Sequence, residues 1–168
     1  MLALLRIFGL VLLCVIALFV VWVAFVNLTR RESSMWYGGR PSTLGVHDGK
    51  LSGPKKRTPN SVVSEGIDPA HPAYIAPIAF TGDPRAAMAK FITVVQAMRD
   101  VTLIKAEETY LYAEFRTPKM RYVDDFEARL DAAASVIHVR SASRLGKRDF
   151  NVNRNRVEAI RKRFSESQ

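Results

Sequence analysis

Residues 110–144 read YLYAEFRTPKMRYVDDFEARLDAAASVIHVRSASR, and their apolar residues recur at every second position. Leu111, Ala113 and Phe115 alternate with Tyr110, Tyr112, Glu114 and Arg116. Phe126, Ala128 and Leu130 alternate with Asp125, Glu127, Arg129 and Asp131, and Ile137 and Val139 alternate with His138 and Arg140. A period of two puts one set of side chains on a core and the other in water, which is the pattern of antiparallel strands. Connections such as Thr117-Pro118-Lys119 are short enough for hairpins. A fourth strand precedes these at Thr102–Ala106.

Outward from this meander the period changes to that of a helix. Asp83-Pro84 combines an N-cap residue with proline at the first helical position, and Ala87, Phe91, Val94, Val95 and Met98 follow at spacings of one to four. After the strands, Val157, Ile160 and Phe164 mark one face of a helix from about Asn153 to Phe164, with Asn155 and Glu158 spaced as a capping box. The fold class expected is α+β: a two-layer sandwich of a four-stranded antiparallel sheet and two helices, within residues 81–168.

Upstream the chain changes character twice. Between Gly38 and Pro84 lie seven of the nine Gly and seven of the eight Pro, so residues 29–80 read as a tether and a surface arm. Apolar spots at Leu44, Val46, Ile67, Tyr74, Ile75, Ile78 and Phe80 suggest that part of the arm lies on the domain. Ile7 to Leu28 carries no charge. At about 1.5 Å per residue its 22 residues match a hydrocarbon core of about 30 Å, so residues 1–28 are expected to form an uncleaved transmembrane anchor in the inner, cytoplasmic membrane. A cleavable signal fits less well, because the run is long and Trp22 precedes Ala24 where a small residue would be needed. Arg30 and Arg31 against Arg6 favour a cytoplasmic C-terminal part by the positive-inside rule, which large domains often override.

The whole chain of 168 residues accommodates one domain and an appendage. Cys14 is the sole cysteine, which excludes an intrachain disulfide scaffold and a cysteine-based zinc module. His47, His71 and His138 have no metal-ligand spacing, and no nucleophile elbow, phosphate loop or dinucleotide fingerprint occurs, so no metal or cofactor is expected.

PNSVVS (59–64), YLYAEFR (110–116), YVDDFEARLD (122–131) and IHVRSASRLGKRDFNVNRNRVEAIR (137–161) resemble the family called domain of unknown function 1499, over roughly residues 44–164. The resemblance implies a small domain carried behind a signal or anchor and often exported. It therefore implies an extracytoplasmic setting, and it brings no activity, cofactor or catalytic residue. Members often carry a cysteine pair in the proline-rich arm, in a CP…PNC pattern. Gly53 and Ser61 stand at the matching places here, so the arm has to be held by packing and hydrogen bonds.

Two constellations carry candidate chemistry. Asp124, Asp125 and Glu127, with Asp149, suit a hard cation or acid–base work, although adjacent strand residues face opposite sides. Arg140, Ser141, Ser143 and Arg144, with Asn151, Asn153 and Asn155 at the mouth of a helix whose N-terminus favours anions, suit a phosphate or carboxylate, while Arg154 lies near the carboxylate set. In both cases the plainer reading is an ion network in which the arginines meet Glu114, Glu127 and Asp149. Tyr110, Tyr112 and Tyr122 suit either a groove or cross-strand packing. Nine basic residues against two acidic ones between Arg140 and Arg163, in a chain of net charge +9, suit anionic lipid headgroups; nucleic acid is disfavoured for want of a recognition motif. The function expected is binding or scaffolding as an accessory of an envelope complex, with the lipid bilayer, envelope proteins or anionic headgroups as partners. The alternatives are an envelope hydrolase or transferase using Asp124–Glu127, and a lipid- or anion-binding module.

Overall fold

A computed structural model describes the backbone of residues 2–29, 38–118 and 121–167, and within the first of these ranges the side chains of residues 6, 9 and 12–23. It separates into two units, Met1–Trp36 and Tyr37–Gln168. The first holds one helix, α1 (Leu2–Thr29). Among the described residues no helix is long and apolar enough to cross a membrane, so the expected span Ile7 to Leu28 does not stand.

The second unit runs β1 (Val46–His47), β2 (Lys50–Leu51), β3 (Ser61–Val63), β4 (Ile78–Ala79), α2 (Pro84–Gln96), β5 (Val101–Ala106), β6 (Tyr110–Arg116), β7 (Val123–Asp131), β8 (Val136–Ser143) and α3 (Val152–Glu166). The meander β5–β6–β7–β8 follows the period-two stretch, but the four-stranded sheet expected from it is too small. Six strands form one antiparallel sheet in the order β3-β8-β7-β6-β5, with β4 also on β8, and β1–β2 make a separate hairpin. The two added sheet strands come from the arm: Ser61–Val63 pairs with Arg140–Ala142, and Ile78–Ala79 with Val136–Ile137. Two- and three-residue strands are too short to show a period, and their flanking prolines mask them; the open edge of β8 recruits them.

Helices α2 and α3 cover one face. Asp83 caps α2 by accepting from the Ala86 amide at 2.7 Å, with Pro84 opening the helix as the sequence predicts. The α3 start differs from the expected Asn155–Glu158 box. Asn151 stands at the N-cap in the left-handed region without a side-chain bond, while Asp149 accepts from the Asn153 amide at 3.0 Å. Phe91, Phe126 and Phe164 centre the core, with Phe91 stacked 6.4 Å from Phe126 and edge-on 5.5 Å from Phe164.

The opposite face is not wet. Tyr110, Tyr112, Glu114, Asp125, Glu127 and Arg140 are all buried there beneath the arm, whose Leu44 and Leu51 pack on Tyr110 and Tyr112. The unit thus has three layers, helices, sheet and arm. The arm enters at Gly38, at φ +78°, where a Cβ would stand 2.9 Å from Cβ of Arg144; glycine is required on both counts. At the positions where the resemblance implies a cysteine pair, the Lys55 amide donates to Ser61 Oγ at 3.0 Å and Arg140 Nε to the Gly53 carbonyl at 3.4 Å.

Because Phe126 is fully buried in contact with two other rings, Phe126→Ala should destabilise the unit by about 3–5 kcal/mol in chemical denaturation.

Candidate functional site

Strand alternation splits the candidate residues into two clusters on opposite faces of the sheet. Asp124, Ser141 and Ser143 share the helix face with Phe126 and Val139; Asp125, Glu127, Arg140 and Arg144 share the arm face.

On the arm face, Arg144 lies between two carboxylates. Its Nη2 donates to Glu114 at 2.6 Å and Asp125 at 2.7 Å, and its Nε reaches both Asp125 oxygens at 3.1 Å. Tyr112 Oη accepts from the same Nη2 at 2.9 Å and donates to Asp125 at 2.7 Å. From the arm, Arg40 adds a bond to Glu114 at 2.8 Å, its guanidinium 5.5 Å above the Tyr112 ring. One step along the sheet, Arg140 donates to Glu127 Oε2 at 3.0 Å, while Oε1 accepts from Tyr110 Oη at 2.8 Å and the Gly45 amide at 2.7 Å. A third set joins Arg129 to Glu65 at 2.8 Å, with the Leu51 amide on the same carboxylate at 2.9 Å and His138 Nε2 at 3.9 Å.

These sets have electrostatic consequences. Burial raises the Tyr112 and Tyr110 hydroxyls well above their ordinary value, reinforced by Asp125 and Glu127 beside them, so both stay protonated donors. Burial alone would raise Glu114, but the Arg40 and Arg144 hydrogen bonds outweigh it and bring the carboxyl down to about 2. Burial likewise opposes, and the Arg129 and Leu51 bonds overcome, so that Glu65 also lies below its usual range. Arg144 is raised: its bonds to Asp125 and Glu114 outweigh the burial that acts against its charge. His138 is lowered, chiefly by burial, and favours the neutral ring.

On the helix face, Asp124 accepts from Arg156 Nη2 at 2.5 Å, and Arg156 Nη1 donates to Ser141 Oγ at 2.9 Å and Asn153 Oδ1 at 2.7 Å. Asn153 Nδ2 donates to the Asn60 carbonyl at 3.0 Å, Ser143 Oγ at 2.9 Å and Asp149 at 2.9 Å. Asn60, from PNSVVS, also donates to the Gly146 carbonyl at 2.7 Å. Arg154 stands apart, bonded to the Pro72 and Tyr74 carbonyls at 2.8 and 2.7 Å.

Of the expected set, the structure brings Asp125, Arg144 and Glu114 together, and separately Asp124, Ser141, Ser143 and Asp149; it does not bring Asp124 to Asp125. Arg140 and Arg144 meet carboxylates, as the plainer reading has it, while Asp149 meets Asn153. Asn153, expected at the mouth of the helix, joins the helix-face cluster; Arg40, Asn60, Glu65 and Arg156 complete the clusters and were not singled out from sequence. Their only signal lay in the quoted family segments, and Arg40 and Glu65 lie outside even those. A cleft of about 450 Å³ opens beside Gly45, Val46, Lys105, Tyr110 and Arg129; of the candidate residues only Tyr110 lines it, and none of the charged or serine candidates does. Among the described residues, every buried side-chain nitrogen and oxygen has a hydrogen-bond partner, and no group of three potential ligands could hold a metal ion.

The molecule is thus a small α+β domain whose proline-rich arm is clamped to the sheet by buried ion pairs. Residues 53–164 match the family described as protein of unknown function (DUF1499), more than half of the chain, and the chain belongs to that family. A search of curated proteins found no match.

Removing the Arg144 guanidinium leaves buried Asp125 without a cation and leaves Glu114 only Arg40 and Arg116 at the edge of the network. Arg144→Gln should therefore cost about 3–5 kcal/mol in denaturant titration. Glu114 binds its proton less readily in the folded state, so its contribution is complete above the ordinary value of 4.5 and is lost as pH falls towards about 2. Melting followed through that window should flatten in Glu114→Gln relative to the parent.

Proposed function

We propose that the domain is a binding or scaffolding module for an anionic partner. The observation that carries this reading is the use made of the buried charges. Asp124, Asp125, Glu127 and Glu114 are each held by a guanidinium, and Asp125, Glu127 and Glu114 also meet a tyrosine hydroxyl. These groups join arm, sheet and helix to one another. Residues 37–168 carry 22 basic and 15 acidic side chains, a net charge of +7, which suits association with polyanionic surfaces. The family resemblance supports an extracytoplasmic setting, which paired reporters fused after Gln168, one maturing only outside and one only inside the cytoplasm, would test.

The competing reading is a hydrolase or transferase that uses the acidic stretch. Asp124 and Asp125 point to opposite faces, and both lie in ion pairs, so a shared acid–base pair there has no geometric support. Asp125→Asn separates the two readings. As a clamp residue it should lower the melting temperature, with complementation of a deletion strain failing only in step with folded protein. Lost complementation at unchanged melting would establish a reactive carboxylate and overturn the scaffolding reading.

A further inference from the structure

The loop between β8 and α3 combines strain, apolar exposure and positive charge. Phe150 is 88% exposed, and Leu145 and Val152 beside it are 40% and 41% exposed. Phe150 and Asn151 hold φ of 51° and 66°, a left-handed pair that a bulky aromatic residue rarely adopts. The loop is held in that shape from beneath. Asp149 accepts from the Asn151 amide at 3.3 Å, the Asn153 amide at 3.0 Å and Asn153 Nδ2 at 2.9 Å. The loop's one carboxylate is thereby turned towards α3. Folding gains nothing from a strained phenylalanine in water, and strain of this kind is concentrated at functional positions.

The surroundings define the partner. Lys147 and Arg148 are exposed on the same loop, and Lys56 and Arg57 on the next one, which Asn60 ties to it through bonds to the Gly146 carbonyl at 2.7 Å and the Leu145 carbonyl at 3.5 Å. Lys55 adds a bond from its Nζ to the Ser143 carbonyl at 2.6 Å. Four exposed cations therefore flank three exposed apolar side chains. A planar anionic bilayer complements this arrangement: the cations meet headgroup phosphates while the ring enters the boundary between headgroups and acyl chains. A nucleic-acid strand would call for a row of stacking rings, of which the loop has one.

We propose that loop 145–152, with Phe150 as its wedge and Lys147, Arg148, Lys56 and Arg57 as its cations, seats the domain on an anionic lipid surface. The inference rests on the reading of the domain as a module for an anionic partner and names that partner's chemistry.

Depth at position 150 is the measurement that tests it. In the full chain, Trp22→Phe and Trp36→Phe provide a background in which Phe150→Trp reports on its own surroundings, with Ile104→Trp, in β5, as a reference position in a second variant. Vesicles of phosphatidylglycerol and phosphatidylcholine with brominated acyl chains should quench the indole of the Phe150→Trp variant and leave that of the Ile104→Trp variant unquenched, and phosphatidylcholine alone should quench neither. Lys147→Gln with Arg148→Gln should raise the lipid concentration for half-quenching about 30-fold, since each cation near such a surface contributes about 1 kcal/mol. High salt should act in the same direction. Melting at the parent temperature would show that these exposed substitutions leave the fold intact. Fluorescence from position 150 that is unquenched by anionic vesicles, quenched equally by neutral ones, or responsive to an oligonucleotide instead would overturn the proposal. None of these results touches the Asp125→Asn outcome, so the loop's failure is distinguishable from failure of the scaffolding reading.

Discussion

The guanidinium of Arg144 is the contact on which the rest of this domain depends. It lies just past the end of β8, bridges Glu114 of β6 and Asp125 of β7, and is the cation paired with Asp125, where Tyr112 joins the same group. Arg40 of the arm binds the Glu114 carboxylate on its other flank. Three strands and the arm thus meet at one buried set of charges. The arm sends Val62, Ile75, Ile78 and Phe80 into the main core, but its ladders are only two or three residues long. Charge-assisted hydrogen bonds, stronger and more directional than neutral ones, fix where the rest of it lies.

Buried ion pairs are poor sources of net stability, because desolvation offsets most of the attraction. Their value here is specificity. Phe126 and Ala128 face the helices and Asp125 and Glu127 face the arm, so a slip of β7 by one residue would drive carboxylates into the phenylalanine core and rings into the ion network. An ordinary two-layer sandwich resists such a slip on one side of its sheet. This domain resists it on both. The second polar cluster, Asp124–Arg156–Asn153, does the same at the junction of sheet and α3, where Asn60 of the arm joins it through its carbonyl. The arm is therefore fastened on the faces and at the end of the sheet, and the loop carrying Phe150 hangs from that fastening.

The sequence by itself determined the meander and the covering helices. Their signals are local: a period of two from Tyr110 to Arg140, a capped proline start at Pro84, and a helical stripe at Val157, Ile160 and Phe164. The family was also legible, in segments long enough to be specific. The strands β3 and β4 were not, since two or three residues between prolines carry no period and form only because β8 offers an unpaired edge.

Only the tertiary structure decided what the charged residues do. Alternation separates Asp124 from Asp125 before any fold is known, but it cannot say which cation each will meet. Arg144 and Glu114 lie 30 residues apart, and Arg40 and Glu114 lie 74 apart. The face that reads as wet in sequence is buried because a distant arm covers it. A polar face and a buried ion network have the same composition, and the difference lies in long-range contacts that no local pattern records.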